Sequence, residues 1–570
     1  ALEQAKKPWV SLLADITVFR SFVFEHQVAK IFEYGAVTYA RRAEPSPIEI
    51  NAAYYQTPAQ CVVDIVAPDS AKTTGTLLLS RKGGKTVLQE AFIVPADQLE
   101  LTRKLDLKAL PVGEYQVKGK LDSGFETPAI SFEKVKPKWM GNQLGAEDVV
   151  LHPWTPVKAD KRDEELIVNV WGRSYVLNGP LPRQITSKNG ELLSGPVRFS
   201  LDAGAGEAAV KWSKPEITER KDTRVVFTSR ATAGGYTITS TTRIEYDGML
   251  WTEFAFAAPD PKELSEMRLD IPINKTHCVF AQYPTLRELW FPKEPMFVSF
   301  DRTPYLYIGN DTAGLQWFAE SDQWWHAKNP GKALEIAPTK NGGAMRVHMV
   351  RDPIRMPKEF KMAFGLMATP VRPRPKGWRR WDQGSLGYGW TAVAPAWLIR
   401  KQVVSGEQML LDRKPQMDDR RKKVPFSSTL FMGMRHYNEG DLRHFLPEWR
   451  HFAPEWLQVP HSISIRSKPG WNQAMVNPSS SYIDFYCWQL EHMLSNTDEQ
   501  GLYVDGYAGA RKSANRMAGF GYVDRDGTVK PTWPIMAGRE LYRRTSAILY
   551  RHQGKDGFYQ VHHATTLIMP

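Results

Sequence analysis

No stretch of this 570-residue sequence approaches the roughly 18 consecutive apolar residues that a membrane-spanning helix needs, so no membrane span is expected. Cysteine is scarce. Only Cys61, Cys278 and Cys487 occur; they are odd in number and far apart, so neither a disulfide framework nor a metal knuckle can be read from them, and the redox compartment stays open. Nucleic-acid signatures are missing as well. The formal net charge is +12, but zinc-finger spacing, helix-turn-helix patterning and an aromatic-basic RNA-binding signature are all absent, and the positive charge is spread along the chain. Nucleic acid is therefore not an expected partner, whereas a positive surface would still gather an acidic polysaccharide. The densest basic run, Arg413 to Lys423, contains Asp418 and Asp419 and reads as a solvated loop. No internal repeat or low-complexity segment breaks the pattern. The chain opens on Ala1 without an apolar leader, so the residues alone do not point to secretion.

What is present is the composition of a folded protein, with 42% hydrophobic and 24% charged residues. This length is too great for one hydrophobic core, and about three or four domains are expected. Aromatic residues reach 11%, including 19 Trp. That suits carbohydrate clefts, where the apolar face of a sugar lies on an aromatic ring, and it suits large sandwich cores equally well.

Residues 1–47 form a short lead. From 48 to 136 apolar and polar positions alternate between turn signals, as in "CVVDIVAPDS", "TGTLLLSRKGG" and "LPVGEYQVKGKL", the pattern of short antiparallel strands in an Ig-like β-sandwich. The Lys-, Pro- and Gly-rich "KVKPKWMGNQLG" marks a boundary near residue 137. Residues 137–372 resume the alternation on a larger scale without a convincing helix, which predicts a large two-sheet β-supersandwich of the mutarotase-like kind. After "FKMAFGLMATPVRPRP", residues 373–570 alternate strands with helices. A helix is predicted from Ser481, with Ser481 and Asp484 as a cap-like start and Ile483, Tyr486, Leu490 and Met493 at helical spacing. "GLYVDG" and "FYQVHH" read as strands flanking a second helix through Leu541, Ile548 and Leu549. Strand, helix, strand with polar residues at the strand ends is the grammar of a (β/α) TIM-type barrel, whose chemistry sits at the carboxyl ends of its strands. A full barrel takes about 250 residues, more than remain after residue 372, so this barrel is expected to be incomplete.

Asp505 ends the first of those strands, and Gly506 lets the backbone turn there. Glycoside hydrolysis needs two carboxyl groups across the scissile bond, and Asp505 is the candidate for one; the bland alternative is an Asp capping the next segment. Asp524 and Asp526, in "GYVDRDGTVKPTWP", read as a tight turn, and Glu540 as a carboxylate complementing a helix dipole. His562 and His563 end the second strand and are candidates to bind a hydroxyl or orient a carboxylate. As adjacent strand residues they face opposite ways with no third ligand in reach, so no metal is expected. Arg511 and Lys512, in the loop after Asp505, either read an anionic substituent or are ordinary loop charges. Tyr437, Trp471, Asn477, Tyr507 and His562 are the remaining candidate substrate contacts. Glu320 and Asp322, in "GLQWFAESDQWW", read as polar groups at a sandwich-barrel interface.

Several segments resemble the glycoside hydrolase family 123-like proteins: "WMGNQLG" followed by "PWTPV", then "VWGRSYVLNG", "GLQWFAESDQWW", "FGLMATPVRP", "NPSSSYIDFYCWQL", "GLYVDG" and "GYVDRDGTVKPTWPIMAGRELYRR". Their order and spacing carry the resemblance more than any one of them. It implies a sandwich stacked on a barrel, a secreted bacterial protein, and action on glycosidic bonds of a complex polysaccharide, amino-sugar-containing or anionic, without a cofactor. The family uses a neighbouring Asp-Glu pair with the substrate's acetamido oxygen as nucleophile; no such pair ends a predicted strand here. Related sequences carry Cys just before the Pro-Ser-Ser segment and His-Gly-Cys after the Asp-Gly strand, where this chain has Asn477 and Ala518-Gly519-Phe520, which implies an altered pocket.

The reading is a glycoside hydrolase with Asp505 as one catalytic carboxylate and its partner expected beyond Pro570. A non-catalytic carbohydrate-binding protein on the same fold is the alternative, and a lyase using a His or Tyr base is the third. Sugar, linkage, stereochemistry and oligomeric state are not legible.

Overall fold

The computed structural model describes residues 46–67, 72–188, 190–204, 206, 208–282, 289–373, 391–392, 429–433, 435–438, 447–460, 463–464, 472–496, 501–505 and 511–561. The first layers are a small sandwich. A three-stranded sheet holding Glu49–Tyr55, Gln60–Val66 and Glu100–Asp106 faces a four-stranded sheet holding Thr73–Arg81, Thr86–Val94, Gly113–Leu121 and Ile130–Lys134. In Thr73–Arg81 the buried residues are every second one, Gly75, Leu77 and Leu79, as the two-residue pleat requires. Leu77 and Leu79 meet Cys61, Val63, Ile65, Tyr115 and Val117 in one core. All three cysteines are free thiols.

The large sandwich packs a nine-stranded antiparallel sheet against a six-stranded one, with a five-stranded sheet over Lys158–Glu191 at their margin. Three consecutive hairpin-linked strands, Arg224–Ala233, Tyr236–Glu245 and Met249–Ala257, stand second to fourth in the nine-stranded sheet, next to its middle strand Glu359–Thr369. Their inward residues, among them Phe227, Ile238, Ile244, Phe254 and Phe256, are buried in a core shared by both sheets. Phe256 and Phe360 stack there with centroids 4.3 Å apart. The opposite face of the same strands is polar, with Arg224, Thr241, Arg243 and Glu253 turned outward.

The final part is built differently. Thr391–Ala392, Thr429–Gly433, Gly501–Asp505 and Phe558–Val561 pair in parallel, in that order. Among the described residues three α-helices accompany them: α1 (Pro447–Trp456), α2 (Ser480–Asn496) and α3 (Ile535–Gln553). Parallel neighbours need crossover connections; α2 lies in the chain between the second and third strands, and α3 between the third and fourth. Where a (β/α) barrel was expected, the described residues show four parallel strands and few helices. Ile483, Tyr486 and Leu490 of α2 and Leu541, Ile548 and Leu549 of α3 are buried in one cluster, in keeping with their helical spacing; the Met493 side chain lies outside the described residues. No helix among the described residues is long and apolar enough to cross a membrane.

One expectation changes here. Ser481 and Asp484 do not cap α2: the helix begins at Ser480, Ser481 Oγ donates to Glu455, and Asp484 accepts from Gly141 N–H and the Arg544 guanidinium. Side chains one and four positions inside a helix are drawn into long-range pairs when stronger partners than their own backbone are present. The segment that marks the boundary near residue 137 also contributes to a core. Trp139 is buried against Phe452, Trp456 and Phe485, and Gly145, at φ +70, passes so close to the Arg544 carbonyl that a side chain would overlap it.

Candidate active site

The run "GLYVDG" makes a strand because Leu502, wholly buried, anchors an apolar stretch between two parallel neighbours. Asp505 is its last residue and lies opposite Gly433, the last residue of the adjacent strand. One position earlier, Val504 is opposite both Met432 and Val561. Three strands therefore end at one level, and Asp505 is the acidic residue on that carboxyl edge; Ala392, Gly433 and Val561 end the other three.

Asp505 and Tyr437 are described as strand residues, without their side chains. Tyr437 lies on the three-stranded antiparallel sheet beyond Gly433, paired with Gln473. Trp471, Tyr507, His562 and His563 lie outside the described residues. Arg511 is exposed, and its carbonyl accepts from Gln458 Nε2 at 3.0 Å. Lys512 pairs with Asp301 of the large sandwich and sits over the Trp533 ring, so it serves the joint between the two parts.

Asn477 is a correction. It is wholly buried, and its Nδ2 donates to the carbonyl of Leu457 at 2.7 Å and to that of Glu455 at 3.5 Å. An enclosed amide holding the end of α1 beside the start of α2 has no surface to offer a sugar; its role is positional.

The residue that sequence reasoning missed is Glu455. It is buried near the end of α1 and accepts from Thr57 N–H at 2.6 Å, Thr57 Oγ1 at 2.7 Å and Ser481 Oγ at 2.7 Å. Burial pushes its carboxyl upward, and these donors pull the other way. It thereby ties the small sandwich to α1 and α2. The signal was present as a lone acid between Phe452, Ala453, Trp456 and Leu457, where an apolar run leaves a charge no exit to water.

Glu320 and Asp322 stand at the joint between the large sandwich and the segment leading into α3. Tyr522 Oη donates to Asp322 Oδ1 at 2.8 Å, Trp533 N–H to the Glu320 carbonyl at 2.8 Å, and Met536 N–H to Glu320 Oε1 at 2.7 Å. Pro534 offers α3 no side-chain cap, so Glu320 supplies one from another part of the chain. Burial pushes its carboxyl up to about 7. Asp524 and Asp526 form the predicted turn: Asp526 Oδ1 accepts from Thr528 N–H at 2.9 Å, and Gly527 N–H returns to the Asp524 carbonyl. Glu540 pairs with Arg543 one turn along α3. Among the described residues no group of three or more His, Cys, Asp or Glu could hold a metal ion.

With this geometry in place, one comparison is decisive. Residues 161–319 match the family model described as glycoside hydrolase 123, third domain. The chain carries a glycoside hydrolase 123 third domain. The matched residues lie within the large sandwich, so over that domain the chain is similar to glycoside hydrolase 123 proteins, and the matched domain precedes the parallel strands that bear Asp505. Such a protein is carbohydrate-active. No curated protein matches the chain. Among solved structures, a galactose mutarotase related enzyme from Lactobacillus acidophilus is similar at 6% identity and a TM-score of 0.25, over 39% of this chain and 99% of that one. A glycoside hydrolase family 97 enzyme from Pseudoalteromonas is similar at 8% identity and a TM-score of 0.26, over 71% of this chain and 64% of that one. An alpha-mannosidase from Enterococcus faecalis is similar at 9% identity and a TM-score of 0.23, over 57% of this chain and 43% of that one. Scores this low decide nothing about the glycoside hydrolase 123-like chain.

Proposed function

We infer that this protein is a secreted glycoside hydrolase acting on a complex polysaccharide, amino-sugar-containing or anionic, with its chemistry on a (β/α) barrel to which residues 373–570 belong. Residues 48–136 and 137–372 form its two sandwich domains. The observation that supports the reading is Asp505 at the carboxyl end of a parallel strand, in a chain that carries a glycoside hydrolase 123 third domain. Barrel chemistry is placed at such strand ends. Asp505 supplies one carboxyl group, as acid or as nucleophile or base, and a second stands roughly 5 to 9.5 Å from it. Tyr437, Trp471, Tyr507, Arg511, His562 and His563 remain proposed substrate contacts; Asn477 does not.

The test is Asp505→Asn assayed on a panel of chromogenic glycosides and on polysaccharide by reducing-end release. Loss of turnover by a factor of at least about 1,000, with the folded-state spectrum unchanged, fits loss of a group that acts in the transition state. Turnover within about tenfold of the parent would remove Asp505 from the mechanism.

A further inference from the structure

Away from the carboxyl edge, the polar face of the nine-stranded sheet, the 146–149 segment and α3 enclose a cavity of about 580 Å³. That is within the range of small-molecule clefts, roughly 300 to 1,000 Å³. Its floor is a square of four side chains on two adjacent antiparallel strands. Arg243 lies directly opposite Trp251, and Thr241 directly opposite Glu253; residues two apart on a strand share a face, so all four point into the cavity together. Trp251 is also packed into the core, at 8% exposed, whereas Thr241, Arg243 and Glu253 are not buried; the alternate residues, Thr242, Ile244, Leu250, Thr252 and Phe254, are.

These groups hold unused hydrogen-bonding capacity. Arg243 Nε stands 2.9 Å from Glu245 Oε1, and its two Nη groups have no partner among the described residues. Glu253 accepts one long bond from Trp251 Nε1 at 3.3 Å, and Thr241 Oγ1 has no partner among the described residues. Glu245 is meanwhile held by the buried Arg539 at 2.6 Å, and Trp251 by stacking on Phe318 with centroids 5.7 Å apart. The floor is thus held in place from behind while a donor fork, a carboxylate acceptor and a hydroxyl face the cavity beside an indole. Sugar hydroxyls both donate and accept, and they ask for this pairing. Charge selects among sugars. Six carboxylates against four guanidinium groups line the cavity, so a uronate or sulfate would meet a field of its own sign.

We propose that this cavity is a binding site for a neutral saccharide, in which Arg243 and Glu253 take adjacent hydroxyls of one ring and Trp251 borders its apolar face. The choice of a sugar as ligand rests on the glycosidase reading; the location of the site does not.

The experiment is calorimetric titration of the full chain with methyl β-galactoside, methyl β-glucoside and N-acetylgalactosamine, with glucuronate and glucosamine as charged counterparts. It is repeated on Arg243→Met, Glu253→Gln and Asp505→Asn. Expected is binding of at least one neutral probe, weakened about tenfold or more in each of the two cavity variants and unchanged in Asp505→Asn, with turnover of small chromogenic glycosides retained in Arg243→Met and Glu253→Gln. Glu253 is exposed, and an unchanged melting temperature of Glu253→Gln separates lost binding from lost folding. The proposal is overturned if no neutral probe binds, if a charged probe binds better, if both cavity variants bind as the parent does, or if Asp505→Asn abolishes the binding. Retained turnover in Asp505→Asn, with binding lost only in the cavity variants, would sink the catalytic assignment and leave this site standing.

Discussion

Replacing Glu320 by Gln tests how the large sandwich grips α3. The carboxyl accepts from Met536 N–H at the first turn of α3 and is pushed by burial up to about 7, against an ordinary value near 4.5. A folded-state value above the unfolded one means that the native protein holds the proton more tightly. Its contribution to stability is therefore complete below about pH 4.5 and is lost as pH rises through about 7. The displacement corresponds to about 3 kcal/mol at most, and solvent at the partly exposed residue, together with the helix N-terminus favouring an anion by about 0.3 to 1 kcal/mol, reduces it. A net loss of about 1 to 3 kcal/mol above pH 7 remains. Glu320→Gln keeps an acceptor oxygen for Met536 and never ionises. Thermal and denaturant melts followed by tryptophan fluorescence at pH 4.5 and pH 8 read the outcome. The variant should match the parent at the lower pH and exceed it by about 1 to 3 kcal/mol at the higher. A variant less stable than the parent at pH 8 would mean that the carboxylate gains more from α3 than it loses by burial, and the reasoning would fail.

Arg539→Met leaves the buried Asp247 without its cation and Glu245 with Arg243 alone, where the parent has Arg539 at 2.7 and 2.6 Å; a cost of about 3 to 5 kcal/mol is expected, read by denaturant melts. Trp139→Ala opens a hole among Phe452, Trp456 and Phe485 and should cost about 3 to 5 kcal/mol, with limited proteolysis showing earlier cleavage near α1 and α2. Asn477→Ala removes the donor to the Leu457 and Glu455 carbonyls; a loss of about 1 to 3 kcal/mol with unchanged KM on any accepted substrate is the signature of a positional residue, and a raised KM at unchanged stability would restore it as a sugar contact.

Periodicity carried much of the fold. Alternation in Thr73–Arg81 and Tyr236–Glu245 is visible because a pleat exposes every second side chain, and the buried Leu541, Ile548 and Leu549 of α3 follow from the helical repeat. Asp505 was legible as a strand-ending acid because an apolar run stops there. Tertiary structure alone decided which distant residues meet. Arg539 reaches Glu245 and Asp247 across almost 300 residues of chain, Glu455 reaches Thr57 across almost 400, and Trp139 leaves the boundary segment for the core of the helices. Local pattern reports whether a side chain is turned inward, because that is set by backbone geometry within a few residues. It does not report the partner, because a buried charge or indole is matched by whatever the fold brings beside it, and that match set the role of Asn477, the cap on α3 and the cavity above Arg243 and Trp251.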